Sequence, residues 1–181
     1  KERAVDRYPL HHGIQSIKSK RGSSSHNHNP FTAIVSKDAT EDHGDCYGFN
    51  LVYSGNHIAR TEIGTHGLLR IQNGINPFEF EWHLKAGESF DAPESVMTFS
   101  DEGLNGMSHN MHDFVNRHIV PEYWQFKLRP VLYNDWEGCM FDFNQRKLLN
   151  LAKQAKELGC ELFVLDDGWF GKRDSDTAGL G

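Results

Sequence analysis

The chain has 181 residues, 38% of them hydrophobic, and a formal net charge of −6 at neutral pH. That length has room for one domain or slightly more, and an acidic balance without any basic block excludes a nucleic-acid surface. No run of about 18 apolar residues marks a membrane span, and neither the n-region nor the h-region of a secretory leader follows Lys1.

The first hundred residues read as antiparallel β-structure. Phe31–Val35, Tyr47–Tyr53, His57–Ile63, Leu68–Ile71 and Phe78–Leu84 are short runs rich in aromatic and β-branched residues, separated by Gly-Asn, Gly and Asn-Pro signals. Many short strands with turns between them predict a β-sandwich over residues 1–102. In Ser23–His28, His26 and His28 would share one face of a strand, but a metal site lacks a third ligand nearby and a polar surface loop is the expectation. From Gly103 to Val120, Met107, Met111, Phe114, Val115 and His118 recur at i, i+4, i+7, i+8 and i+11, which predicts a helix with one apolar stripe. His109 and His112 on it read as a solvated face. This helix and a linker, residues 103–128, would connect the sandwich to a second region starting at Arg129. Cys46, Cys139 and Cys160 are scattered and odd in number, which gives no disulfide framework and fits a reducing, cytoplasmic compartment.

From Arg129 onward the pattern is strand, helix, strand. Pro130–Tyr133 is β-prone and ends in Asn134-Asp135-Trp136; Asp142 stands three residues before Gln145, the spacing of a capping box. Leu148, Leu151, Ala152, Ala155 and Leu158 then recur at helical spacing, and Gly159 supplies the stop, being free to take a left-handed conformation. Cys160–Leu165 is almost continuously apolar, as suits a parallel strand covered on both faces, and leads into Asp166-Asp167-Gly168-Trp169-Phe170. In βαβ units function gathers at the C-terminal ends of strands, so Trp136, Asp166 and Asp167 fall on one rim. Neighbouring strand residues point to opposite faces. That suits Asp166 and Asp167 poorly as a facing glycosidase pair, about 5 Å apart for retention or roughly 6.5–9.5 Å for inversion. They suit charge-assisted acceptance from hydroxyls better. On spacing alone an ordinary Asp-Asp-Gly turn accounts for the corner equally well.

Arg129-Pro130-Val131-Leu132-Tyr133-Asn134-Asp135-Trp136-Glu137, Phe141-Asp142-Phe143-Asn144 and Leu162 through Gly171 resemble the opening of the catalytic barrel in the α-galactosidases of glycoside hydrolase family 36. Upstream, Arg21–Phe31, Tyr47–Asn56 and Gly74–Phe78 resemble the large β-sandwich that precedes that barrel. The resemblance implies a fold in which an antiparallel β-sandwich is followed by the first βαβ unit of a (β/α)8 barrel, residues 129–181, cut short. It implies α-galactoside sugars as ligands, with Asp166 and Asp167 holding the 4- and 6-hydroxyls of galactose and Trp136 walling the pocket. Tyr133 and Trp169 read either as further wall or as packing residues. Asp135 stands where Asn is commoner and adds a negative charge beside the pocket. The family needs no metal or cofactor. Its nucleophile, in a Lys-Trp-Asp motif, and its acid/base aspartate do not occur in these 181 residues, so this chain alone is expected to be inactive and aggregation-prone. Bacterial members are commonly tetramers, which implies a homo-oligomer. Two alternatives stay open: a non-catalytic sandwich module for carbohydrate binding or oligomerisation, and a related α-N-acetylgalactosaminidase or galactosyltransferase.

Overall fold

In the first part of the chain six strands pair into two three-stranded antiparallel sheets. The computed structural model describes residues 7–179, which divide into two units, one ending at Ile119 and the other beginning at Val120. In the first unit β1 (Gly13–Lys18), β4 (His57–Ile63) and β5 (Leu69–Ile75) form one sheet in the order β1-β4-β5, and β2 (Phe31–Val35), β3 (Cys46–Leu51) and β6 (Ser95–Ser100) form the other in the order β2-β3-β6. The antiparallel architecture expected from the spacing of the apolar runs is therefore present.

The core of this unit follows from alternation along β3. Cys46 and Gly48 turn to one face and are buried, while Tyr47 turns to the other, where it meets its cross-strand partner Phe99 with ring centroids 4.8 Å apart. Cys46 and Met107 bury with Ala39, and Ala33, Val35 and Leu104 pack against them. Met107 and Met111 are the buried residues of α1 (Gly103–Phe114) apart from Gly103, the inward stripe predicted for that segment. Gly48 allows the close approach, since a Cβ there would lie 3.0 Å from the Met107 sulfur. The α-helix ends six residues before the predicted limit and continues as a π-helical turn, Val115–Ile119. This rotates Val115 and His118 out of the stripe into solvent.

Two predicted strand segments differ, and two strands carry no predicted run. Phe78–Leu84 is not a strand: the Asn76 side-chain oxygen accepts from the Phe78 N–H, Phe80 N–H donates to Pro77, and Glu79 takes a positive φ of 50°. Those turns coil the segment, and Phe80, Trp82 and Phe90 pack on one another with centroids 6.0 and 4.9 Å apart. In contrast, β5 runs on through Asn73 and Gly74, because their backbones are paired with Ala59 and Ile58. The strands β1 and β6 carry no predicted run. The isoleucines of β1 are spaced by three rather than two, so its pairing with β4 is what makes it a strand. His28 also differs from a metal ligand on a strand: at φ 54° in a loop, its Nδ1 contacts the Lys18 carbonyl at 2.8 Å.

The second unit is a short βαβ element. After α2 (Glu122–Gln125) come β7 (Leu132–Asn134), α3 (Trp136–Cys139), α4 (Gln145–Glu157) and β8 (Leu162–Val164). β7 and β8 pair in parallel, with Leu132 opposite Leu162, Tyr133 opposite Phe163 and Asn134 opposite Val164. Asp142 is not the helix cap. Asn144, extended at φ −147°, accepts from the Lys147 N–H at 3.0 Å, while Asp142 pairs with the Lys147 ammonium at 3.1 Å. A cap accepts from the N–H two or three residues on, and Asn144 stands three before Lys147. Ala155 is buried and Leu148, Leu151 and Ala152 are half-buried, whereas Leu158, at the C-cap, is 85% exposed. Gly159 ends the helix at φ +89°. Leu162 is 43% exposed, so β8 is covered less than its apolar run predicts; among the described residues β7 alone pairs with it.

Candidate functional site

Parallel pairing brings the C-terminal ends of β7 and β8 side by side, and the residues just beyond them interlock. The Asp135 N–H extends the ladder to the Val164 carbonyl at 3.2 Å. Asn134 Nδ2 donates to Asp166 Oδ2 at 2.6 Å, and Asn134 Oδ1 accepts from the Trp136 N–H at 2.9 Å. One asparagine therefore joins Trp136 to Asp166. The Trp136 ring is half-buried and meets Phe141 edge-on, centroids 5.0 Å apart. Tyr133 packs on its strand partner Phe163 at 5.5 Å, a packing role. Trp169 is 64% exposed and meets Phe170 edge-on.

The adjacent aspartates have different partners, as alternation requires. Asp166 is exposed at the rim. Asp167 is gripped by Arg173: Nε donates to Oδ1 at 2.9 Å and Oδ2 at 3.1 Å, and Nη2 donates to Oδ2 at 2.8 Å. Its Oδ1 also accepts from the Gly168 N–H at 2.7 Å. A carboxylate has about four lone-pair positions, and three N–H groups reach Asp167, the Arg173 Nε–H being shared between both oxygens, so about one position is open when that shared bond settles on a single oxygen. Arg173 is itself fixed, because Nη1 donates to the carbonyls of Ser175 and Ala178 at 2.8 and 2.9 Å. Gly168 makes the corner possible: at φ +88°, with Phe143 and Phe141 carbons 3.0 and 3.1 Å from where a Cβ would stand, no other residue fits without displacement.

The Arg173 guanidinium, bonded to both oxygens, holds the Asp167 carboxyl below its ordinary range, helped by the Gly168 N–H and opposed by burial. A depressed folded value means that the unfolded chain binds more protons near pH 4, so stability rises with pH there. The contribution is full above the ordinary carboxylate value and is lost as pH falls through the lowered one. In the full-length protein, the wild-type unfolding midpoint should fall more steeply than that of Arg173→Ala as pH drops from about 5 to 3. Parallel curves would refute the pairing.

Local sequence did not single out Arg173 or Asn134. The available signal was an arginine six residues after Asp167, across a loop with glycines at 168 and 171 that can fold back. Asp135 does not add charge to an open pocket. It is 2% exposed, with its carboxylate turned into the protein.

The glycosyl hydrolase family 36 N-terminal domain profile matches residues 1–85, and the Melibiase profile matches residues 89–181. The chain belongs to glycoside hydrolase family 36. Alpha-galactosidase AgaA of Geobacillus stearothermophilus is 50% identical over 181 residues, 100% of this chain and 25% of that protein. The crystal structure of the family 36 alpha-galactosidase AgaB from the same organism superposes with a TM-score of 0.88 at 52% identity, covering 97% of this chain and 24% of that one. A structure of an AgaA variant in complex with stachyose gives 0.89 at 50% identity, covering 97% and 24%. The chain thus spans about a quarter of the length of its family 36 relatives.

Proposed function

We propose that these residues are part of an α-galactosidase that removes terminal α-1,6-linked galactose from melibiose- and raffinose-type sugars by retaining double displacement. The observation that carries this reading is the joint held by Asn134, which sets an aromatic ring and a carboxylate side by side at the ends of two parallel strands. A galactose ring fits such a pair. Its C–H face packs on Trp136, and its hydroxyls donate to Asp166 and to the remaining acceptor position of Asp167. The stachyose complex of the related AgaA variant supports an α-galactoside as ligand.

In this reading β7, α4 and β8 begin a (β/α)8 barrel, whose later strands carry the nucleophile and the acid/base aspartate. No metal takes part, and the enzyme works as a homo-oligomer. The free thiols of Cys46, Cys139 and Cys160 support a cytoplasmic setting. Kinetics of the full-length protein on 4-nitrophenyl α-D-galactoside and α-D-glucoside test the reading, since the sugars differ only at the 4-hydroxyl. Carboxylates placed for the axial hydroxyl should give a kcat/KM ratio of about 10³ or more in favour of galactose. Equal rates would overturn the proposal.

A further inference from the structure

Asp135 is among the largest fully buried side chains of the described residues, and it is a carboxylate. Among the described residues no lysine, arginine or histidine forms an ion pair with it. A buried charge without a cation is costly, and an apolar side chain of similar volume is commonly as stable or more so. Stability therefore does not explain an aspartate at this position. Its contacts do. Asp135 Oδ1 accepts from the Asp166 backbone N–H at 3.0 Å, and Oδ2 accepts from the Cys139 thiol at 3.4 Å. The Asp135 carbonyl accepts from the N–H groups of Gly138 and Cys139 at 2.9 and 3.0 Å, forming the turn that carries Trp136.

We propose that Asp135 is a positioning residue for the galactose subsite, its carboxylate fixing the Asp166 backbone so that the Asp166 side chain meets the sugar at a set angle. This rests on the reading of Asp166 as a sugar ligand. Beyond the end of β8 the chain leaves the two-strand ladder, and the Asp166 N–H has no strand partner in the described sheet. Asp135 supplies the missing acceptor from the neighbouring strand end. With its N–H held by Asp135 and Oδ2 held by Asn134, the residue is fixed at both ends and Oδ1 is left for a hydroxyl. The same tripeptide, Asn134 to Trp136, thereby aligns the carboxylate with the ring on which the sugar packs.

The test is calorimetric titration of the full-length enzyme with D-galactose, using wild type, Asp135→Ala, Asp135→Asn, Asp166→Ala and the double variant Asp135→Ala/Asp166→Ala. Losing the acceptor should weaken binding about tenfold in Asp135→Ala. Asp135→Asn, which keeps an oxygen for the Asp166 N–H, should stay within about threefold of wild type. In the Asp166→Ala background the alanine at 135 should add less than about twofold, because its effect runs through the Asp166 carboxylate. Unchanged binding by folded Asp135→Ala, or an equal loss in both backgrounds, would overturn the positioning role while leaving Asp166 as a ligand. Wild-type binding by Asp166→Ala would overturn the subsite and the positioning role together. Should Asp135→Ala fail to fold, Asp135→Leu, which fills the space without an acceptor, replaces it with the same expectations.

Discussion

Asp167→Ala in the full-length enzyme is expected to lower kcat/KM on an α-galactoside by about 10²–10³-fold, the range for an ionic contact that tightens in the transition state. Two losses combine. On the proposed reading, a substrate hydroxyl loses its charge-assisted acceptor at Asp167. Arg173, still anchored by the carbonyls of Ser175 and Ala178, is left without its carboxylate partner. A purely structural loss is separated by pairing variant with substrate. If Asp167 accepts from the 6-hydroxyl, the penalty should nearly vanish on the 6-deoxy sugar, the α-D-fucoside. If it accepts from the 4-hydroxyl, the penalty should persist on the fucoside and vanish on the 4-deoxygalactoside. A penalty equal on all three substrates would mean that Asp167 serves only to hold Arg173.

The polypeptide of 181 residues alone should release no nitrophenol from 4-nitrophenyl α-D-galactoside, at least about 10⁶-fold below the full-length enzyme, as expected when both catalytic groups are missing. It holds a proposed sugar grip and no proposed nucleophile. Its second unit should also associate. A two-stranded sheet has open edges and marginal stability. Phe126, Leu128 and Leu158 are 84%, 96% and 85% exposed, and Val131 and Trp169 are 58% and 64% exposed. Such surface on a short unit should bind a hydrophobic dye and elute from size-exclusion chromatography well above the monomer position. Turnover by a pure monomer would show that the bond is broken by residues within the chain, and would remove the downstream aspartates from the mechanism.

Much of this protein can be written down from local chemistry. The βαβ order of the second unit is one case: four inward positions at helical spacing, a glycine stop and a β-prone run on either side need no distant partner. The inward placing of Met107 and Met111 is another, as are the strands Phe31–Val35 and His57–Ile63, which form with the predicted ends. Asp166, Asp167 and Trp136 stand out by residue type and by position at strand ends, and the resemblance to the family implies a sugar-binding role for them.

What those three residues touch is set by the fold, because their partners are distant along the chain or lie across a turn. Asn134 and Asp135 reach Asp166 across about thirty residues only because β7 and β8 run parallel in a register that ends both strands together. Arg173 reaches Asp167 only because Gly168 reverses the chain. Asp135 shows the division most plainly. In the sequence it is one more acidic residue near a pocket; in the folded protein its carboxylate is buried and accepts from the Asp166 backbone N–H across the strand ends. The same holds for β1 and β6, whose conformations come from pairing with other strands, whereas the coil from Pro77 to Phe90 is set by its own turns and the packing of its own rings. Periodicity reports which face of an element is apolar, while contacts between elements decide which polar groups are held, and at what angle.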